Sequence, residues 1–180
     1  IQVKICFIIE KLWKGGFMFR FFKKSQVVEI ASPATGEIVP IEDVPDEEFA
    51  SKRTGDGVGL ILTDGKIIAP FDGEITCVYN ANHCLVIKSV ESGLELLIHI
   101  GIDTIKLKGE GFKRHVELND RVKKGDLLLE ADLEHIKASG KSIITPTIIT
   151  NRRYVETIDK ASGIVEKGQD TIMKVALRKE

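Results

Sequence analysis

Cysteine is scarce in this chain: Cys6, Cys77 and Cys84 are the only three among 180 residues. An odd number with no pair at metal-ligand spacing excludes a disulfide framework and a cysteine-held metal, and fits a reduced, cytoplasmic setting. Excess charge is lacking too. Lys and Arg total 26 against 27 Asp and Glu, a net of −1, so no general affinity for nucleic acid is implied. No apolar run is long enough to span a bilayer. Histidine is sparse, with His83, His99, His115 and His135. The length suits one domain with a substantial core.

What is present is organised around Leu94–Phe112, LELLIHIGIDTIKLKGEGF. Leu96, Ile98 and Ile100 alternate with Glu95, Leu97 and His99, the period of a strand. Upstream, Asn82–Lys88 reads as a second strand, with turn residues Ser89–Gly93 between the two. A five-residue loop there pairs Lys88 with Leu94 and, five residues further along the ladder, His83 with His99. Directly opposed residues share a face with Cβ atoms about 4.5–5.5 Å apart. A one-residue slip would separate the histidines. Two imidazoles on an aliphatic surface can bind a metal, or one can act as nucleophile while the other donates a hydrogen bond. A lone strand histidine is more often a packing residue; a matched pair points to chemistry.

From Val27 onward, Pro and Gly cut the chain into short strands. Ala31–Val39 and Ala69–Cys77 repeat one pattern, with Pro33 and Pro70 37 residues apart, as are Gly36 and Gly73. Val122–Asp126 is echoed by Val165–Gln169. Such echoes suit an all-β sandwich or barrel built from related halves. Helix is expected only as short pieces. Pro45–Ser51 carries acidic residues in its first turn, and Asp132–Ser139 has an Asp N-cap and Gly140 as its stop. His115 and His135 sit in polar surroundings and read as surface residues without a role.

The string His99–Phe112, with Asn82-His83, Gly36–Asp46, Gly55-Asp56-Gly57, Arg121–Asp126 and Lys141–Asn151, resembles the glucose-type enzyme IIA of the bacterial phosphoenolpyruvate-dependent sugar phosphotransferase system. The likeness runs from about Glu29 to Arg178. It implies a β-sandwich of internally duplicated design. It also implies a phosphocarrier that takes a phosphoryl group from phospho-HPr and passes it to the IIB domain of a sugar permease. By the resemblance, His99 is the phosphorylated nucleophile, reacting through Nε2, and His83 the helper that hydrogen-bonds the phosphoryl group. A carbonyl at Gly101 is expected to hold a ring nitrogen of His99. The family commonly has Thr two residues before the first histidine, where this chain has Ala81, so a hydroxyl of the network is missing.

A partner-facing surface is expected around the histidines. Val44, Phe49, Val58 and Tyr79 would exclude water from a phosphohistidine, and Asp46 and Asp103 at the rim would steer basic partners. Val44 and Val58 serve equally well as core. No cofactor is required; His83 and His99 can also take up Zn²⁺ when a partner completes the ligand set. The carrier is expected to be monomeric, and the resemblance also allows a regulatory protein that binds partners according to phosphorylation state. A lysostaphin-type zinc peptidase is excluded by the lack of an HxH pair. A lipoyl or biotin carrier is excluded because Lys174 lacks the required surroundings.

Residues 27–180 therefore read as the enzyme IIA domain, and the end of the chain at Glu180 without a linker reads as a free-standing protein. Residues 18–26 read as a flexible segment whose Met18–Lys24, mixing aromatics with cations, can touch a membrane surface weakly. Residues 1–17 fall outside the resemblance, and the run Ile5–Ile9 is too short for a signal peptide. Lys14-Gly15-Gly16-Phe17 ahead of Met18 can be encoded by a purine-rich ribosome-binding sequence, so residues 1–17 are expected to be a translated leader. Intact mass of the protein made at its own locus is expected to start at Met18. A species retaining residues 1–17 contradicts this.

Overall fold

The computed structural model describes residues 26–178. The readings of residues 1–17 and of Met18–Lys24 lie outside them. Eight strands form one antiparallel sheet, in the order β13 (Gly163–Val165), β2 (Gly36–Pro40), β3 (Asp56–Leu62), β11 (Ile144–Ile149), β7 (Glu95–His99), β6 (Cys84–Ser89), β5 (Gly73–Val78) and β9 (Arg121–Val122). Two three-stranded sheets complete the fold. One runs β1 (Val27–Ala31), β14 (Thr171–Leu177), β12 (Val155–Lys160), the other β4 (Lys66–Ile68), β10 (Leu127–Ala131), β8 (Phe112–Arg114). No helix among the described residues is long and apolar enough to cross a membrane.

The large sheet reads alike from both edges, and the sequence echoes fall on matching strands. Gly36 opens β2 and Gly73 opens β5, each second from an edge. Val122 and Val165 lie on the edge strands β9 and β13. The turns that follow are tied in the same way: Gly125 N–H donates to Ala69 O at 2.9 Å, and Gly168 N–H to Ser32 O at 2.8 Å. The two small sheets are counterparts as well, each with its late strand, β10 or β14, in the centre. The fold is thus the duplicated β-sandwich expected from the repeats.

Alternation along the central strands sends side chains to two different apolar regions. Leu96 and Ile98 of β7, with Ile100 just beyond it, are fully buried in the main core together with Leu60, Leu85 and Ile87 of the same sheet and Ile30, Ile67, Leu128 and Met173 of the small sheets. Burying each such side chain contributes roughly 1.5–3 kcal/mol. The opposite face of the large sheet carries a second cluster of Ile41, Val44, Phe49, Cys84, Leu97, Ile102 and Ile148. Its lid is the segment from the 3-10 turn Ile41–Asp43 through helix α1 (Glu47–Ala50). Gly59 lets the lid lie close, because a Cβ there would meet Val39 and Val44 side-chain carbons at 2.8 and 3.0 Å. Asp46 caps α1 by accepting from Glu48 N at 2.9 Å, and Asp132 caps α2 (Leu133–Ala138) by accepting from His135 N at 2.9 Å. Both short helices stand where their caps and acidic first turns put them.

The β6–β7 hairpin departs from the expected register by one residue. Lys88 pairs with Glu95 and Cys84 with His99. Ser89 N–H still reaches Leu94 O at 2.8 Å, so the tip is Val90–Gly93, one residue shorter than Ser89–Gly93. Gly93 closes it at φ +69°, a conformation glycine adopts without the Cβ penalty. Cys84 therefore occupies the position expected for His83.

Candidate functional site

The two histidines meet despite the shifted register, because His83 lies outside β6. Asn82 has φ +54° and ends a turn in which its N–H donates to Tyr79 O at 2.8 Å. That kink breaks the strand alternation just before His83. Its carbonyl still accepts from Ile100 N–H at 2.7 Å, while its ring stands edge-on to the His99 ring, with centroids 4.8 Å apart and planes 82° apart. Phe49 packs edge-on against His99 at 5.2 Å and Tyr79 against His83 at 5.8 Å. The site is an aromatic and aliphatic patch at the end of β7, continuous with the second cluster.

The tautomer of His99 is set by the chain just after it. His99 Nδ1 lies 2.8 Å from Gly101 O; a carbonyl only accepts, so Nδ1 carries the proton and Nε2 keeps its lone pair. Gly101 has φ +69°, and a Cβ on it would sit 2.5 Å from Ser142 O and 2.6 Å from Thr104 Cγ2. Glycine is required there on both counts. The loop is pinned further by Thr104 Oγ1 donating to Ile100 O at 2.6 Å and Ile102 N–H donating to Ser142 O at 3.0 Å.

His83 is in a different situation. It is only 2% exposed, and its Nδ1 is buried without a hydrogen-bond partner. The residue two positions earlier is Ala81, which has no hydrogen-bonding side chain. Burial, and then the neighbouring His99, push the His83 pKa down to about 4. Burial also lowers that of His99, opposed by its bond to Gly101 O and by the charge of Asp46. Both rings are therefore neutral at pH 7. Cys84, opposite His99, is an inert packing residue: burial, reinforced by Cys77, raises its thiol pKa far above the usual range.

The expected surface residues divide. Tyr79 is 44% exposed. Asp103 is exposed at φ +61°, and its carboxyl is held below the ordinary range by its bond to Lys106 at 2.5 Å, with Lys141 at 3.6 Å. Asp46 is half-buried. Phe49 is buried yet touches His99 with its ring. Val44 and Val58 are core residues and offer no partner surface, 3% and 1% exposed. Val44 belongs to the lid itself and packs into the second cluster, and Val58 packs in the main core. Ile105 was missing from the expected set. It is 56% exposed on the 3-10 turn Thr104–Leu107, bracketed by the left-handed Asp103 and Lys108. Its place inside the His99–Phe112 string was the available signal. His115 is exposed with Nε2 2.7 Å from Glu130. His135 is half-buried rather than free on the surface: its ring packs over Gly111, and its Nε2 is shielded without a partner.

Among the described residues no three or more His, Cys, Asp or Glu come together as a metal-binding group. His83 and His99 alone could offer two imidazole ligands.

Three comparisons bear on this arrangement. The family model for the phosphoenolpyruvate-dependent sugar phosphotransferase system, EIIA 1, matches residues 28–155. The glucose-specific EIIA component of Bacillus cereus is 41% identical over 162 residues, covering 89% of this chain and 98% of that protein. That of Buchnera aphidicola is 43% identical over 155 residues, covering 86% and 96%. The glucose-specific EIICBA component of Staphylococcus saprophyticus is 50% identical over 129 residues, 72% of this chain but only 19% of that longer protein. Among solved structures, glucose permease IIA from Mycoplasma capricolum superposes with a TM-score of 0.75 at 29% identity, covering 83% of this chain and 96% of that one.

The depressed histidine pKa values give a pH signature. The unfolded chain takes up protons near the ordinary imidazole pKa of about 6.5, before the folded chain does. Stability is therefore full above about pH 6.5 and falls as the pH drops towards about 4, where His83 itself protonates. The limiting slope is about 1.4 kcal/mol per pH unit for each such histidine. Urea midpoints for His83→Gln are expected to fall less steeply between pH 6.5 and 4.5 than those of the native chain. Parallel profiles contradict the assignment.

Proposed function

From membership of the EIIA 1 family of the phosphoenolpyruvate-dependent sugar phosphotransferase system, to which this chain belongs, we propose that His99 is the phosphohistidine of a sugar-transport phosphocarrier. It accepts a phosphoryl group from phospho-HPr and delivers it to the IIB domain of a glucose-type permease. The observation that carries this reading is the Nδ1–H bond of His99 to Gly101 O at 2.8 Å, which leaves Nε2 as the free nucleophilic nitrogen of a neutral ring.

The transfer needs an in-line nucleophile and a means of holding three charged oxygens, with little covalent work for the protein. The Nε2 lone pair of His99 attacks phosphorus as the bond to the donor breaks. The proton stays on Nδ1 throughout, donated to the Gly101 carbonyl, whose oxygen also offsets the positive charge that the ring acquires. His83 stabilises the phosphoryl group. Its buried, partnerless Nδ1 favours the tautomer with the proton on Nε2, because an N–H left unsatisfied at Nδ1 would cost about 1–3 kcal/mol. Nε2–H then serves as a donor to a phosphoryl oxygen.

The surroundings suit a protein substrate. Phe49 and Tyr79, whose rings pack against the histidines, form the apolar approach, with Ile105 exposed on the turn that follows His99. Exclusion of water protects the hydrolysable P–N bond. Asp46 and Asp103 at the rim attract basic partners and speed encounter. No cofactor enters the transfer. Zn²⁺ bound through His83 and His99 would need its remaining ligands from water or from a partner. A monomer acting in the cytoplasm, where phosphoenolpyruvate is made, suits this role. The purely regulatory reading finds no support in the relatives, whose names are those of transport components.

A phosphorylation assay with phosphoenolpyruvate, enzyme I and HPr, read by intact mass at neutral or basic pH, tests the roles. The native chain and His83→Gln are expected to carry one acid-labile phosphoryl group, and His99→Ala none. Onward transfer to a IIB domain should slow by about 100-fold in His83→Gln, the loss typical of one transition-state donor. A phosphorylated His99→Ala overturns the assignment.

A further inference from the structure

Phe49, whose ring packs edge-on against His99, and Asp46, whose charge acts on it, do not sit on the β-sheet. They belong to the lid segment 41–53, whose helix α1 has only four residues and is too short to hold a position unaided. Apolar contacts fix its middle, through Ile41, Val44 and Phe49. Its two ends are fixed by charge. Lys52, left-handed at φ +59°, closes the segment and places its Nζ 2.5 Å from Glu42 at the segment's start. The same ammonium lies 3.6 Å from Asp56, the first residue of β3. Asp56 Oδ1 also receives Lys160 Nζ at 2.5 Å and Gly57 N–H at 2.9 Å. Arg152 donates to the Lys52 carbonyl at 3.3 Å.

Asp56 is therefore the hub of a chain running Glu42–Lys52–Asp56–Lys160. It joins the lid to the large sheet through β3 and to the small sheet through Lys160 of β12. The hub is well shielded, with side-chain exposures of 18% for Asp56 and 23% for Lys160. Ion pairs in such surroundings are screened less than fully exposed ones. Asp56 itself pairs with Ile149 of β11 and has no contact with either histidine among the bonds and ion pairs described.

We propose that Asp56 is a positioning residue for the transfer site, holding the lid so that Phe49 and Asp46 stay in register over His99. It acts through the lid and touches no reacting atom. The inference rests on the reading of His99 as the carrier.

The test compares Asp56→Asn, which keeps the shape and removes the charge, with Lys160→Met, Asp56→Glu and the native chain. Histidine side-chain NMR reports the Phe49 ring current at His99 whether or not any phosphoryl group is transferred. Phospho-HPr titrations separate KM from kcat. Asp56→Asn and Lys160→Met are expected to move the His99 imidazole signals and to raise KM for phospho-HPr about fivefold, the upper range for one partly exposed pair, with kcat little changed. Asp56→Glu should restore part of both. A lowered melting temperature with native His99 signals and native KM would make Asp56 a purely structural residue and overturn the proposal. A native chain that accepts no phosphoryl group would instead overturn the carrier reading, and the NMR comparison would still decide the role of Asp56.

Discussion

The site depends on one hydrogen bond, from His99 Nδ1 to the carbonyl of Gly101 two residues later. It decides which nitrogen of a neutral imidazole is nucleophilic, and it needs a backbone that turns back on the end of its own strand. The turn in turn requires Gly101 at φ +69°, packed against Ser142 and Thr104 too closely for any Cβ. The specific string after His99 is thus the covalent description of a tautomer. His83 reaches the same result by the opposite route. No group holds its Nδ1, and the cost of an unsatisfied buried N–H favours a proton on Nε2. On the proposed reading the two neighbouring histidines have complementary roles, one as acceptor of phosphorus and one as donor to its oxygens.

The duplicated sandwich explains why the site is shallow. β7 and β11 pair at the centre of the large sheet and are covered on both faces. The main core takes Leu96, Ile98 and Ile100, and the lid covers Leu97, Cys84 and Ile148. His99 stands where that second covering ends, so its ring is shielded on the Phe49 side and reachable from outside. A partly exposed apolar site of this kind suits a substrate that is itself a protein side chain.

Much of this was legible in the sequence. The Gly36/Gly73 echo falls on matching strands, and the acidic first turn of Pro45–Ser51 and the Asp132 cap mark the two short helices. The alternation through Leu96, Ile98 and His99 separates core from site. The hairpin register was not legible, because a four- and a five-residue tip are equally compatible with Ser89–Gly93. Asn82 in a left-handed conformation then brings His83 to His99 in spite of the shift. Val44 and Val58 could not be placed from composition, since a valine on a covering segment or on a sheet buried on both faces looks the same whether it is packed or exposed. The chain Glu42–Lys52–Asp56–Lys160 was out of reach for another reason. Lys160 lies 104 residues from Asp56, and only the packing of β12 beside β3 brings them together.

The central claim is that His99 presents a bare Nε2 because Gly101 holds the proton on Nδ1. Long-range proton–nitrogen NMR of the imidazole at neutral pH tests it most directly. The account predicts a neutral His99 ring protonated at Nδ1, with the phosphoryl adduct forming on Nε2 and the Nδ1 proton retained. A His99 protonated at Nε2, or an adduct on Nδ1, would contradict it.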